Sequence, residues 1–88
     1  LPMSPNPMTS ARGVIRFELT KKNHASVSVY NISGRLVRTL LSAERDAGLH
    51  EVTWDGTDTS GRKVASGLYF YRLRTPEQTM TQKVVLSR

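Results

Sequence analysis

The segment Trp54-Asp55-Gly56-Thr57-Asp58-Thr59-Ser60-Gly61, followed closely by Gly67-Leu68-Tyr69-Phe70-Tyr71-Arg72-Leu73, constrains the fold of this chain more than any other stretch. One strand ends in a large aromatic residue. A turn rich in Gly and Asp reverses the chain, and an aromatic strand follows. Each part has a physical reason. Gly adopts positive φ without steric penalty, Asp accepts backbone N–H groups, and aromatic side chains suit a pleated, half-buried surface. The order is that of a β-hairpin.

Alternation carries the reading along the chain. In Val14-Ile15-Arg16-Phe17-Glu18-Leu19, the apolar residues Ile15, Phe17 and Leu19 face one way, and Arg16 and Glu18 face the other, which predicts a half-buried strand. Lys21-Lys22-Asn23-His24 reads as a polar break. Residues 26–32 form a second strand with Val27 and Val29 on its buried side, and Asn31-Ile32-Ser33-Gly34 turns the chain. A third strand over 35–41 has Leu36 and Leu40 on one face and Val37 on the other, so its inward face stays open.

Residues 42–48 are the least strand-like. Residues 43–47 suit one helical turn but are too few for a stable helix. His50, Val52 and Trp54 then alternate with Glu51 and Thr53. Asp58-Thr59-Ser60-Gly61 repeats the chemistry of Asn31-Ile32-Ser33-Gly34, and residues 62–65 are expected to form a short edge segment. Residues 67–75 make the strongest strand, with Tyr69, Tyr71 and Leu73 on one face. Thr75-Pro76-Glu77-Gln78 fits a type I turn, and residues 79–87 close the chain with Lys83-Val84-Val85-Leu86. Residues 1–10 hold Pro2, Pro5 and Pro7, which predicts an extended entry segment or a first edge strand. Short strands separated by turn signals predict an antiparallel β-sandwich or small barrel. Its core is expected to hold Ile15, Phe17, Val27, Val29, Val52, Trp54, Tyr69 and Leu73.

The chain of 88 residues is expected to form one domain over residues 1–88. Its longest apolar runs fall far short of the roughly 20 residues of a membrane span, and no secretory signal is visible. Because it starts with Leu1 rather than Met, it is expected to be a piece of a longer protein. The absence of cysteine excludes disulfides and thiolate ligands. The net charge is +6, spread over single and paired residues such as Arg12, Arg16, Lys21, Lys22, Arg35, Arg38, Arg62, Lys63, Arg72 and Arg74. No long basic run marks a nucleic-acid site. Solvated strand faces explain the pattern, as does attraction to an anionic envelope surface. No nucleic-acid partner is expected.

Catalysis finds little support. His24 sits in the polar break and His50 begins a strand. No nucleophile-elbow sequence accompanies them. No enzyme activity and no cofactor are expected. Asp55 and Asp58 are the weak metal candidates, because oxygen-bearing residues recur over residues 55–61. The regular ligand spacing and closing Glu of a calcium loop are missing, and Asx turns account for both carboxylates. Trp54 and the tyrosines suggest sugar stacking, but Trp54 is in phase with Val52 and Tyr69 with Leu73, which favours burial. Tyr30 and Phe70 lie on the opposite phase and suit exposed contacts or packing on a neighbouring domain. Asn31-Ile32-Ser33 matches a glycosylation sequon, a short match that recurs by chance.

Several of these pieces together resemble a known family. Pro5-Asn6-Pro7 looks like its opening, and Val27-Ser28-Val29-Tyr30-Asn31 with Gly34-Arg35-Leu36-Val37 looks like its central hairpin. Ala47-Gly48-Leu49-His50, then Trp54-Asp55-Gly56, Gly61, Gly67 and Tyr69 match its best-marked block. Lys83-Val84-Val85-Leu86 matches its closing strand. The chain resembles the C-terminal immunoglobulin-like sorting domains of the type IX (Por) secretion system in Bacteroidetes and relatives. It is also similar to the immunoglobulin-like domain of the flagellar hook-capping protein. The Pro-Asn-Pro opening and the end of the closing strand at Arg88 favour the sorting branch.

The resemblance implies an all-β, immunoglobulin-like antiparallel sandwich of about seven strands, a number typical of that class. It implies a non-catalytic C-terminal module that sorts a secreted protein across the outer membrane and attaches it to the cell surface, by way of the periplasm. Implied partners are the outer-membrane secretion apparatus and an upstream catalytic or adhesin domain of the same polypeptide, with the module itself monomeric. Lys83, Val84, Val85, Leu86 and Arg88 are the recognition candidates. The alternatives are a structural spacer, a flagellar hook-cap module, or a carbohydrate-binding accessory module.

Overall fold

The structure, a computed structural model, describes residues 13–87. Six strands follow one another: β1 (Gly13–Leu19), β2 (Asn23–Asn31), β3 (Leu36–Arg45), β4 (Gly48–Trp54), β5 (Gly67–Arg74) and β6 (Thr79–Leu86). All pairings are antiparallel. β1 and β4 form a two-stranded sheet, and the other four form a sheet in the order β3-β2-β5-β6. About seven strands were expected and six are present among the described residues. The possible first edge strand in residues 1–10 lies outside them.

Alternation explains which side chains meet between the sheets. Ile15, Phe17 and Leu19 of β1 and Trp54 of β4 face Val27 and Val29 of β2 and Tyr69, Tyr71 and Leu73 of β5. Ala25, Val37, Val84 and Leu86 complete the core. Period-two patterning makes one face of each strand apolar, and two such faces bury each other in a sandwich. Of the expected core residues, Val52 alone is only partly buried, packed against the cluster rather than inside it. It sits opposite Ile15 on β4, and β4 has a strand neighbour on one side only among the described residues.

The structure corrects three local expectations. Asn23 and His24 are not a break but the first residues of β2, opposite Arg45 and Glu44. Residues 43–45 likewise extend β3 rather than form a helical turn. The two corrections share one cause: each segment supplies the other's ladder partners, and that pairing outweighs weak local propensity. Residues 62–65 do not form an edge strand. They carry an isolated bridge, Thr57 to Lys63, and single bonds such as Val64 N to Gly56 O (3.0 Å) rather than a continuous ladder.

The uncertain face of β3 has its origin in two register shifts, between Val27 and Ser28 and between Val29 and Tyr30. At each shift β3 carries one extra residue, Leu40 and Val37. A bulge interrupts strict alternation and turns the strand about its axis. Val37 is therefore buried, Leu40 and Leu41 both pack partly on the core, and Leu36 is 54% exposed.

Candidate recognition site

The two Gly-containing turns are the same device built twice. Asn31 Oδ1 accepts from Ser33 N (2.9 Å) and Arg35 N (3.0 Å), and Gly34 N donates to Asn31 O (3.0 Å). Asp58 Oδ1 accepts from Ser60 N (2.9 Å) and Arg62 N (3.0 Å), and Gly61 N donates to Asp58 O (2.9 Å). Both glycines have φ of 83°, as the turn chemistry predicts. A Cβ at either position would meet no atom within 4 Å, so replacement costs conformational energy alone. Gly34→Val and Gly61→Val are each expected to destabilise the domain by more than about 1 kcal/mol, because a β-branched residue resists positive φ. Urea unfolding of the two variants checks this; an unchanged midpoint would show that the turn relaxes at no cost.

The β4–β5 connection lies along the edge of β3. Arg38 Nη1 donates to Thr57 Oγ1 (2.6 Å) and to Asp58 O (2.9 Å), while Thr59 N and Oγ1 both donate to Val37 O (3.0 and 3.1 Å). Trp54 Nε1 donates to Thr57 O (2.9 Å), which ties the same loop to the core. The Trp54 ring is 1% exposed and meets Tyr69 edge-on, with centroids 5.3 Å apart. The Tyr69 hydroxyl donates to Ala65 O (2.6 Å), and that of Tyr71 donates to Gln82 Oε1 (3.1 Å). None of these three rings offers a face to a sugar. They hold the loop and the sheets together.

Asp55 and Asp58 each serve the turn. Asp55 Oδ1 accepts from Thr57 Oγ1 (2.5 Å) and Thr57 N (3.2 Å). The Thr57 hydroxyl bond is the main reason its carboxyl lies below the usual carboxylate range. The Thr57 backbone bond and the Arg38 charge act in the same direction, and burial opposes them. Among the described residues, no three His, Cys, Asp or Glu side chains gather into a group able to hold a metal ion. The melting temperature is expected to be the same in EDTA and in millimolar calcium. A rise with calcium that EDTA reverses would make the Asp55/Asp58 loop a metal site.

His24 is exposed on β2. His50 stacks on Phe17 at 5.5 Å, with its Nε2 2.7 Å from Asp46 O.

The closing strand divides by phase. Among the described residues, β6 pairs with β5 alone and stands last in the four-stranded sheet. Val84 and Leu86 are each 1% exposed and belong to the core. Their side chains therefore cannot meet a partner in the folded domain. Lys83 is exposed on the outer face, with Val85 partly buried beside it, and Arg88 lies outside the described residues. Of the five candidates, Lys83 and Val85 are the two whose side chains lie on the outer face among the described residues. Tyr30 and Phe70 face outward as their phase predicts and pair directly across β2 and β5. From sequence, Arg38 reads only as one of the scattered basic residues, not as the anchor of this loop. Its only sequence signal is its place between Val37 and Thr39 on a strand that alternates poorly.

Two antiparallel sheets closing on one core, with a Trp-anchored loop crossing from one sheet to the edge of the other, define an immunoglobulin-like β domain. More particularly, the chain belongs to the FlgD Ig-like domain family, whose model matches residues 7–77. The basal-body rod modification protein FlgD of Salmonella typhimurium is 43% identical over 44 residues, which cover 50% of this chain and 19% of that protein. The solved FlgD structure from P. aeruginosa is 25% identical with a TM-score of 0.66, covering 82% of this chain and 58% of that one. Latent PorU of Porphyromonas gingivalis shares the fold over 98% of this chain and 9% of its own, with a TM-score of 0.72 at 24% identity. PorZ, a surface component of the type IX secretion system of the same organism, has a TM-score of 0.59 at 21% identity over 99% of this chain and 11% of its own. The chain thus spans a small part of most of the proteins it resembles. Among the described residues, no helix is long and apolar enough to cross a membrane.

Proposed function

We propose that this domain is a non-catalytic sorting and attachment module of an exported protein. It is recognised by an outer-membrane secretion apparatus of the type IX kind and acts by way of the periplasm. One observation carries this reading over the flagellar one: the extent of the likeness. The likeness to the solved FlgD structure covers 82% of the chain. The likeness to PorU and PorZ covers 98% and 99% of the chain, and so takes in the closing strand. Among the described residues that strand is a sheet edge with an outward Lys83, and a sheet edge can bind an extended partner through its backbone groups.

Fusing the chain to the C-terminus of a periplasmic reporter, in a host with a type IX system, tests the proposal. The reporter is expected outside the outer membrane. Lys83→Glu combined with Arg88→Glu is expected to block export while leaving the melting temperature unchanged. A reporter that stays in the periplasm of a competent host overturns the sorting reading.

The identity with FlgD over 44 residues favours a second reading, a structural module in the flagellar hook cap. On that reading, the chain replaces the Ig-like domain of a FlgD protein and restores motility to a strain lacking that domain.

A further inference from the structure

The outer face of the four-stranded sheet is divided in two along its length. Across β2, β5 and β6, Ser26 lines up with Arg74 and Thr79, and Ser28 with Arg72 and Thr81. That half is polar. At the other end Tyr30 lines up with Phe70 and Lys83, and Leu68 pairs with Val85. Here the turn after β2 adds Ile32, 71% exposed, and the start of β3 adds Leu36 opposite Tyr30. A concavity of about 300 Å³ opens at this end, floored by Tyr30, Ile32, Phe70, Arg72 and Thr81. Contiguous exposed apolar residues on a small domain mark an interaction surface, whereas scattered ones do not.

The charge on this face has one sign. Arg72, Arg74 and Lys83 stand in or beside these rows. Asp58, in the loop along β3, has its carboxylate oxygen engaged by Ser60 N and Arg62 N, and two further carboxylates lie at the far end of the face. Glu44, opposite His24, pairs with Lys22 at 3.7 Å, and Glu77 in the β5–β6 turn pairs with Lys21 at 3.4 Å. Two occupants fit poorly. A sugar needs an open ring face, but the Arg72 guanidinium lies over Tyr30, 4.9 Å from its centroid, and Phe70 is half-buried. A second copy of the chain, docked face to face, would set these cations against one another, and like charges across an interface are unfavourable. An extended segment carrying apolar side chains between carboxylates fits both features at once.

We propose that the Tyr30/Phe70 end of this face docks an acidic, apolar segment of a partner protein. An apolar side chain fills the concavity, and carboxylates meet Arg72 and Lys83. Burial of the apolar group provides the attraction, and the charge-assisted bonds orient it. The proposal rests on this face alone and holds whichever role the domain has in export or in the flagellum.

The test uses a random peptide library displayed on phage. It is selected on the 88-residue chain and counter-selected on the Arg72→Glu/Lys83→Glu variant. Enriched sequences are expected to combine Asp or Glu with Leu, Ile, Val or Phe. A synthetic peptide of the enriched sequence is expected to shift the backbone amide resonances of Ile32, Leu36, Phe70, Arg72 and Lys83. Its affinity is expected to fall at least tenfold in the Arg72→Glu/Lys83→Glu variant and several-fold in Ile32→Ser, with both variants melting as the parent does. The proposal is overturned if nothing is enriched, if enriched peptides lack acidic residues, or if the shifts map elsewhere. It is also overturned if this face responds instead to oligosaccharide, to single-stranded DNA, or to the chain's own concentration in sedimentation.

Discussion

Trp54→Ala is expected to destabilise the domain by about 3–5 kcal/mol, the cost of large-to-small changes at fully buried aromatic sites. The ring is 1% exposed and packs edge-on against Tyr69. Its loss leaves a cavity between the sheets. It also removes the bond from Nε1 to Thr57 O, so the loop that lies along β3 loses its core anchor. A domain of this size holds roughly 4–13 kcal/mol of stability, at about 0.05–0.15 kcal/mol per residue. The substitution therefore removes a large fraction of the total. A fall in melting temperature of more than about 12 °C is expected, at roughly 4–8 °C per kcal/mol for domains of this length. Trp54→Phe keeps most of the volume and is expected to lie between the two. A melting temperature for Trp54→Ala within a few degrees of the parent would mean that the ring is not the pillar of the core, and would reopen sugar binding.

Removing residues 82–88 is expected to unfold the chain outright. β6 contributes Val84 and Leu86 to the core, each 1% exposed. Their burial alone is worth about 1.5–3 kcal/mol apiece. The truncation also strips five of the eight register pairs with β5, removes a partner of the Tyr71 hydroxyl, and uncovers the flank of Tyr69. The sum approaches the whole stability of a small domain. The amide spectrum of the truncated chain is expected to collapse into the narrow range of an unfolded protein. A cooperative melt in the truncated chain would show that β6 is peripheral. The expectation bears directly on function. Loss of export on deleting the closing strand would say nothing about recognition, whereas loss on Lys83→Glu in a folded domain would.

Much of the fold was legible along the chain, because it depends on near neighbours. Alternation placed Ile15, Phe17, Val27, Val29, Trp54, Tyr69 and Leu73 in the core, and each is buried there. Turn chemistry placed Gly34 and Gly61 at positive φ. Side-chain phase placed Tyr30 and Phe70 on the outer face, and the same logic returned Asp55 and Asp58 to their turns. The family likeness was legible for the same reason, since its marks are turns and strand ends.

Tertiary structure decided what depends on residues far apart in the chain. Residues 43–45 became strand because β2 supplied a ladder for them, and His24 joined β2 because β3 did so in return. The two register shifts between these strands, rather than any local pattern, set Val37 inward and Leu36 outward. Arg38 acquired its role when the β4–β5 loop came to lie along β3. The closing strand shows the division most clearly. Its four outstanding residues read alike in sequence, but pairing with β5 sends Val84 and Leu86 into the core and leaves Lys83 in solvent. Periodicity gives the alternation of a strand. Only its partners determine which of the two faces is buried and how far the register holds.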